Sequence, residues 1–161
     1  MESGSLVSDD IILSLLAKKM DHLAGYILDG FPRTVNQAIA FDKMLAEKNN
    51  SVDYVIYLSI DKETAKKRIV GRVSCPQCGG VYNTMIDGMN SKIDMTCDNC
   101  QTKLTKRKDD TEETFNVRYD TYIKETEPLI AYYQNKGILY QVDSSKNTEQ
   151  VYEDIKRIIN D

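Results

Sequence analysis

Apolar positions along the chain recur with two different periods. Ser8 followed by Asp9 and Asp10 marks a helix start, because a hydroxyl cap and early carboxylates satisfy and complement free amides. Ile11, Ile12, Leu15, Leu16 and Leu23 then fall at helical spacing, and Gly25 ends the run. Tyr26-Ile27-Leu28 predicts a short strand leading into Asp29-Gly30. Ala38, Phe41 and Leu45 predict a second helix over 34–48. Tyr54-Val55-Ile56-Tyr57-Leu58-Ser59-Ile60 is the clearest strand, continuously apolar and β-branched, as expected of a strand buried on both faces. Asp61 is placed to cap the next helix, which carries Lys66, Lys67 and Arg68. Helix is expected again over about 110–135, then a strand at Ile138-Leu139-Tyr140-Gln141-Val142 and a last helix near 147–159. Strands alternating with helices predict an α/β fold built on a parallel sheet.

Residues 73–106 break this alternation. They have no helical period and hold all four cysteines, so they predict a small inserted β-rich subdomain. Cys75-Pro76-Gln77-Cys78 and Cys97-Asp98-Asn99-Cys100 are two Cys-x-x-Cys knuckles eighteen residues apart. Together they offer the four soft ligands of a tetrahedral structural zinc, with no position left open for catalysis. The competing reading is a pair of redox dithiols or disulfides. A segment this short buries little core, which is where a metal is most needed.

Charge narrows the function classes. A net charge of −4 and a pI near 5.1 argue against a protein that coats nucleic acid or an anionic membrane. The opening Met1-Glu2-Ser3-Gly4-Ser5 has no basic region or apolar core of a signal peptide, and no run has the length of a membrane span. A cytoplasmic location is therefore expected, where thiols stay reduced.

Asp29-Gly30-Phe31-Pro32-Arg33-Thr34 follows a predicted strand, and the carboxyl ends of parallel strands are where α/β proteins place ligands. Gly30 permits close backbone approach, Pro32 stiffens the turn, and Arg33 offers a planar fork suited to phosphate. The plain alternative is a tight turn with a solvated arginine. Arg33, Arg68, Arg72, Arg107 and Arg118 all fall beside this motif or at the hinges of the cysteine subdomain, whereas lysines scatter along helices. Such a distribution in an acidic chain points to an anion site.

Taken in order, Asp29 to Thr34 with Gln37, then Arg68-Ile69-Val70-Gly71-Arg72, the cysteine knuckles, Arg107-Lys108-Asp109-Asp110 with Arg118, and Val142-Asp143 with Lys146 resemble the signatures of adenylate kinase. The resemblance runs through the whole chain, and the cysteines are similar to those of family members whose mobile lid holds structural zinc. It implies a P-loop-kinase-like parallel sheet core with a small zinc-bound β-rich lid. The implied divisions are 1–7 as part of an AMP-binding domain, 8–71 and 109–161 as core, and 72–108 as lid. It implies reversible transfer between ATP and AMP, giving two ADP, with Mg2+ as the nucleotide's cation and a monomeric complete enzyme.

By position, Arg33, Arg72, Arg107, Arg118 and Asp29 are the implied catalytic residues. The implied AMP site comprises Ser5, Leu6, Val7, Gly30, Phe31, Pro32, Arg33 and Gln37, with Arg107 and Arg118. The implied ATP site comprises Arg68, Arg72, Val81, Tyr82 and Lys146, with Ser144 standing where the family commonly has glycine. Zinc falls to Cys75, Cys78, Cys97 and Cys100.

The family also carries a strand and a Gly-x-x-x-x-Gly-Lys phosphate loop. Gly25 and Gly30 have that separation, but Phe31-Pro32 follows where lysine and a hydroxyl residue belong. The resemblance therefore implies an amino-terminally truncated form with an incomplete sheet, inactive alone and able to self-associate. Two other readings stand beside it. One is a kinase of another nucleoside monophosphate. The other is a zinc-ribbon nucleic-acid module using Lys103, Lys106, Arg107 and Lys108, which leaves the strand-end motif unexplained and lacks interleaved aromatics.

Overall fold

Local capping starts most of the helices. In the computed structural model, which describes residues 9–20 and 25–160, Thr34 is extended and its hydroxyl accepts from the Gln37 amide at 3.2 Å. That cap opens helix α2, Val35–Ala46, after α1, Asp9–Met20. The Ser8 cap, Leu23 and the expected nucleotide contacts of Ser5, Leu6 and Val7 lie outside the described residues. The chain continues as β1 (Val55–Ser59), α3 (Lys62–Val70), β2 (Arg72–Ser74), β3 (Val81–Asn83) and α4 (Glu112–Thr121). A π-helical turn at Tyr122–Thr126, α5 (Pro128–Asn135), β4 (Leu139–Asp143) and α6 (Thr148–Asn160) complete it. None of the described helices is long and apolar enough to cross a membrane.

Two compact units divide the chain, Met1–Val55 with Ile123–Tyr140, and Ile56–Tyr122 with Gln141–Asp161. In the first, Ala38 of α2 packs with Leu129 and Tyr133 of α5, flanked by Val35, Val55, Ile138 and Leu139. Phe41 is buried one turn further along α2, with Tyr26 and Phe31 meeting its ring edge-on. The Tyr132 hydroxyl donates to Asp42 at 2.5 Å, and Lys136 pairs with the same carboxylate, which fastens α5 to α2. The Val55 amide donates to the Ile138 carbonyl at 2.9 Å, opening the β1–β4 ladder.

In the second unit the Ser144 amide donates to the Ser59 carbonyl at 2.9 Å, so β1 and β4 advance together and are parallel. Asp61 caps α3 by accepting from the Thr64 amide at 2.9 Å. Strands β2 and β3 pair antiparallel, with Val73 opposite Tyr82. A small core gathers Val73, Cys75, Cys97 and Leu104, with Tyr82, Met95 and Cys100 against it. Buried Asn83 fastens this hairpin to α3. Its Nδ2 donates to the Lys67 and Arg68 carbonyls, both at 3.1 Å, at the carboxyl end of α3 where backbone acceptors have spare capacity. The Asn83 oxygen would lie 2.4 Å from a Cβ at residue 71, which explains glycine there.

Three sequence expectations are corrected. Tyr26-Ile27-Leu28 forms no strand, and Ile27 is 93% exposed. A strand exists through its ladder, and no described neighbour pairs with this triplet. The strand expected to be buried on both faces pairs with β4 alone among the described residues and leaves Leu58 and Tyr54 exposed. The single helix expected over about 110–135 is interrupted by the π-helical turn and restarts at Pro128, since proline cannot donate within a continuing helix.

Candidate functional site

Each cysteine knuckle is closed by the same pair of backbone hydrogen bonds. The Cys75 amide donates to the Gly80 carbonyl at 2.8 Å, and Gly79 donates back to Cys75 at 3.0 Å. The Cys97 amide donates to Thr102 and Gln101 donates back to Cys97, both at 2.9 Å. The residue after each second cysteine is left-handed, Gly79 at φ 74° and Gln101 at φ 59°. These turns bring four Sγ atoms within 4.8 Å of one another, with Cys75–Cys100 and Cys78–Cys97 at 3.4 Å. A tetrahedron with Zn–S bonds of about 2.3 Å has edges of roughly 3.8 Å, so the cluster fits that ion.

The thiols also shift one another's ionisation. The Tyr82 hydroxyl oxygen accepts from the Asp98 amide at 2.9 Å, leaving its proton free to bond Cys97 at 3.5 Å. That bond, with the amides of Cys100 and Asn99, draws the Cys97 thiol down to about 6. For Cys78 the Gly80 amide favours the thiolate, but the sulfurs of Cys97, Cys75 and Cys100 outweigh it and push the group up to about 12. Holding all four as thiolates at this spacing would require a positive charge among them.

In the first unit, Asp29, Gly30, Phe31, Pro32, Arg33 and Gln37 lie on one turn leading into α2. Gly30 is left-handed at φ 72°, and a side chain there would approach Arg33 Nη2 to 3.2 Å. The Arg33 Nε donates to the Gly30 carbonyl at 2.8 Å, while Thr126 donates to the Arg33 carbonyl at 2.8 Å. Asp29 and Arg33 are exposed. Gln37, in contrast, is 1% exposed, and both ends of its amide are engaged. Its Oε1 accepts from the Arg33 amide and its Nε2 donates to Asp9, each at 2.7 Å.

The remaining arginines belong to the second unit. Arg72 forms a fork onto Asp110, with bonds of 2.9 and 2.6 Å, and Asp110 is fully buried. This bond raises the Arg72 guanidinium above its ordinary value. Next to it, Arg118 bonds Asp109 at 2.7 Å and holds that carboxyl below its usual range. Lys66 pairs with Glu112. Arg68 reaches the Ser145 carbonyl at 3.3 Å, and Lys146 is paired to Asp154 at 2.7 Å. Arg107 and Val81 are exposed, and Tyr82 turns its hydroxyl to the cysteine cluster.

Two consecutive carboxylates therefore aim two arginines, a role that the sequence reading had not assigned to Asp109 and Asp110. Asp9, Thr126 and Asn83 were likewise missed. For Asp109 and Asp110 the signal was adjacency to Arg107 within the quoted motif. Asp110→Ala is expected to destabilise the second unit by about 2 kcal/mol, because it leaves a half-buried guanidinium without its carboxylate. Urea unfolding of this variant beside Asp109→Ala, whose ion pair is half exposed, measures the contrast.

A sequence profile of the family described as adenylate kinase matches residues 1–138. The chain is 43% identical over 162 residues to the adenylate kinase of Archaeoglobus fulgidus, an alignment covering 99% of this chain and 74% of that protein. It is 42% identical over 162 residues to the adenylate kinase of Magnetococcus marinus, covering 99% and 75%. The corresponding enzyme of Clostridium acetobutylicum is 36% identical over 162 residues, covering 99% and 74%. On this profile match and these identities, the chain belongs to the adenylate kinase family.

Proposed function

We propose that this chain supplies the AMP-reading turn, the arginine set and a zinc-stabilised lid for reversible phosphoryl transfer from ATP to AMP, giving two ADP. Adenylate kinases are phosphotransferases acting on ATP, AMP and ADP, with Mg2+ accompanying ATP. The observation that carries the residue assignment is the turn in which exposed Arg33 sits beside the buried, fixed amide of Gln37. In this reading Arg33 grips the AMP phosphate and Gln37 reads the adenine edge, with Gly30, Phe31 and Pro32 shaping the floor. Ser5, Leu6 and Val7 complete the AMP site.

Arg72, Arg107 and Arg118 neutralise charge on the transferring group, held in position by Asp110 and Asp109. Phosphoryl transfer needs positioned positive charge and excluded water more than covalent help. Arg68, Val81, Tyr82 and the backbone near Lys146 serve ATP, and residues 72–108 close over it. Asp29 offers a hard, exposed oxygen for the magnesium shell; the ion supplies charge neutralisation on the nucleotide. Cys75, Cys78, Cys97 and Cys100 hold a zinc whose chemistry is structural. The 161 residues contain no Gly-x-x-x-x-Gly-Lys loop, and we assign turnover to a polypeptide that has one.

Arg33→Lys tests the reading. A lysine keeps the charge but loses the planar fork, so AMP affinity should fall about tenfold while ATP affinity holds. Calorimetric titration of each nucleotide decides, and equal losses for both would give Arg33 a different role.

A further inference from the structure

The environment of the Gln37 amide points to a second residue that sets base choice. We propose that Asp9 is a specificity-positioning residue. Its carboxylate locks the Gln37 amide in the single orientation that accepts a 6-aminopurine nucleotide and refuses a 6-oxopurine one. This rests on the reading of Gln37 as the residue that faces the base.

The geometry is asymmetric in the way such a lock requires. On one side the Arg33 backbone N–H donates to Oε1 at 2.7 Å; on the other, Asp9 Oδ1 accepts from Nε2 at 2.7 Å. A backbone N–H can only donate, and an ionised carboxylate can only accept. Turning the amide end for end would set donor against donor and acceptor against acceptor. The Thr34 cap fixes the Gln37 backbone, and Gln37 is 1% exposed, so water has little access to repair a reversed amide. With these two bonds kept, the amide has one lone pair on Oε1 and one proton on Nε2 left, in fixed order, for a base that displaces the neighbours now covering Gln37.

An adenine edge presents an amino donor beside a ring-nitrogen acceptor and takes such an amide bidentately. Hypoxanthine carries a carbonyl oxygen in place of that amino group, so the same amide would have to reverse. With Asp9 intact, reversal sacrifices two buried hydrogen bonds. Without Asp9 it sacrifices one.

The test titrates the 161-residue chain with AMP and with IMP, following the Gln37 side-chain amide by NMR. Wild type should prefer AMP and show one amide orientation. Asp9→Ala should lower that preference about tenfold or more and speed exchange of the Gln37 amide protons with water. Asp9→Asn, whose amide can accept from Gln37 Nε2 or donate to a reversed Oε1, should keep the contact yet lower the base preference much as alanine does. A purely structural role for Asp9 would lower stability and leave base preference where it was. Unchanged preference in Asp9→Ala overturns the proposal and spares the reading of Gln37. Two interconverting Gln37 orientations in wild type overturn it too, whether or not any variant folds. Absence of AMP preference in wild type, or its survival in Gln37→Ala, overturns the reading of Gln37 and the inference with it.

Discussion

Stripping zinc from the cysteine cluster, or replacing Cys97 by serine, is expected to unfold residues 73–106 while leaving the first unit folded. Of the four buried residues in that core, Cys75 and Cys97 belong to the proposed zinc site, so the apolar remainder is Val73 and Leu104 with partly buried neighbours. So small a core cannot offset the ordering entropy of the segment around it. A structural zinc in a site of this size contributes on the order of 10 kcal/mol, which is comparable with the whole stability of a domain. The affected backbone is specific. The amides of Ser74 and Thr105 bond each other's carbonyls at 2.9 Å, and the Leu104 amide bonds Met95 at 2.8 Å. These protons should lose protection from hydrogen exchange on chelation, whereas amides of α2 should keep theirs. Metal analysis should find one zinc per chain. Uniform loss of protection, or a fully reduced chain without zinc that retains protected Ser74 and Leu104, would defeat the assignment.

Sequence alone revealed those features whose cause is local. Asp61 caps the helix that follows it, and the buried Ala38, Phe41 and Leu45 keep their helical spacing. Both knuckles were readable because thiol spacing and turn geometry are set within six residues. Contacts between distant residues left no such trace. Asp9 bonds Gln37 across 28 positions, Arg72 bonds Asp110 across 38, and Asp42 meets Tyr132 across 90. An aspartate with a distant partner reads in sequence like any solvated aspartate. Tyr26-Ile27-Leu28 failed for the opposite reason: its composition favours a strand, but composition supplies no ladder partner. The exposure of Leu58 belongs with that failure, since a strand with one described neighbour has an open edge and an incompletely covered face.

The largest effect expected concerns turnover. The purified 161-residue chain, supplied with ATP, AMP and Mg2+, should show no appreciable adenylate kinase activity. Transfer requires the γ-phosphate to be aligned, and in P-loop enzymes a glycine-rich loop does this with a row of backbone amides and a lysine. No stretch of these 161 residues has that pattern: Gly25 and Gly30 have the spacing, but Gly30 is followed by Phe31 and Pro32, the second of which lacks an amide proton. The arginines cannot substitute. Arg72 and Arg118 are already oriented by Asp110 and Asp109, and neither arrangement supplies the amide cradle. A strand-plus-loop peptide carrying Gly-x-x-x-x-Gly-Lys, added in trans, should restore measurable turnover by pairing with the open edge of β1. Without that peptide the same edge should favour self-association, seen as concentration-dependent size in sedimentation. A coupled assay on mass-verified chain decides the matter, and turnover by the chain alone at about 1 per second or faster would refute the proposal.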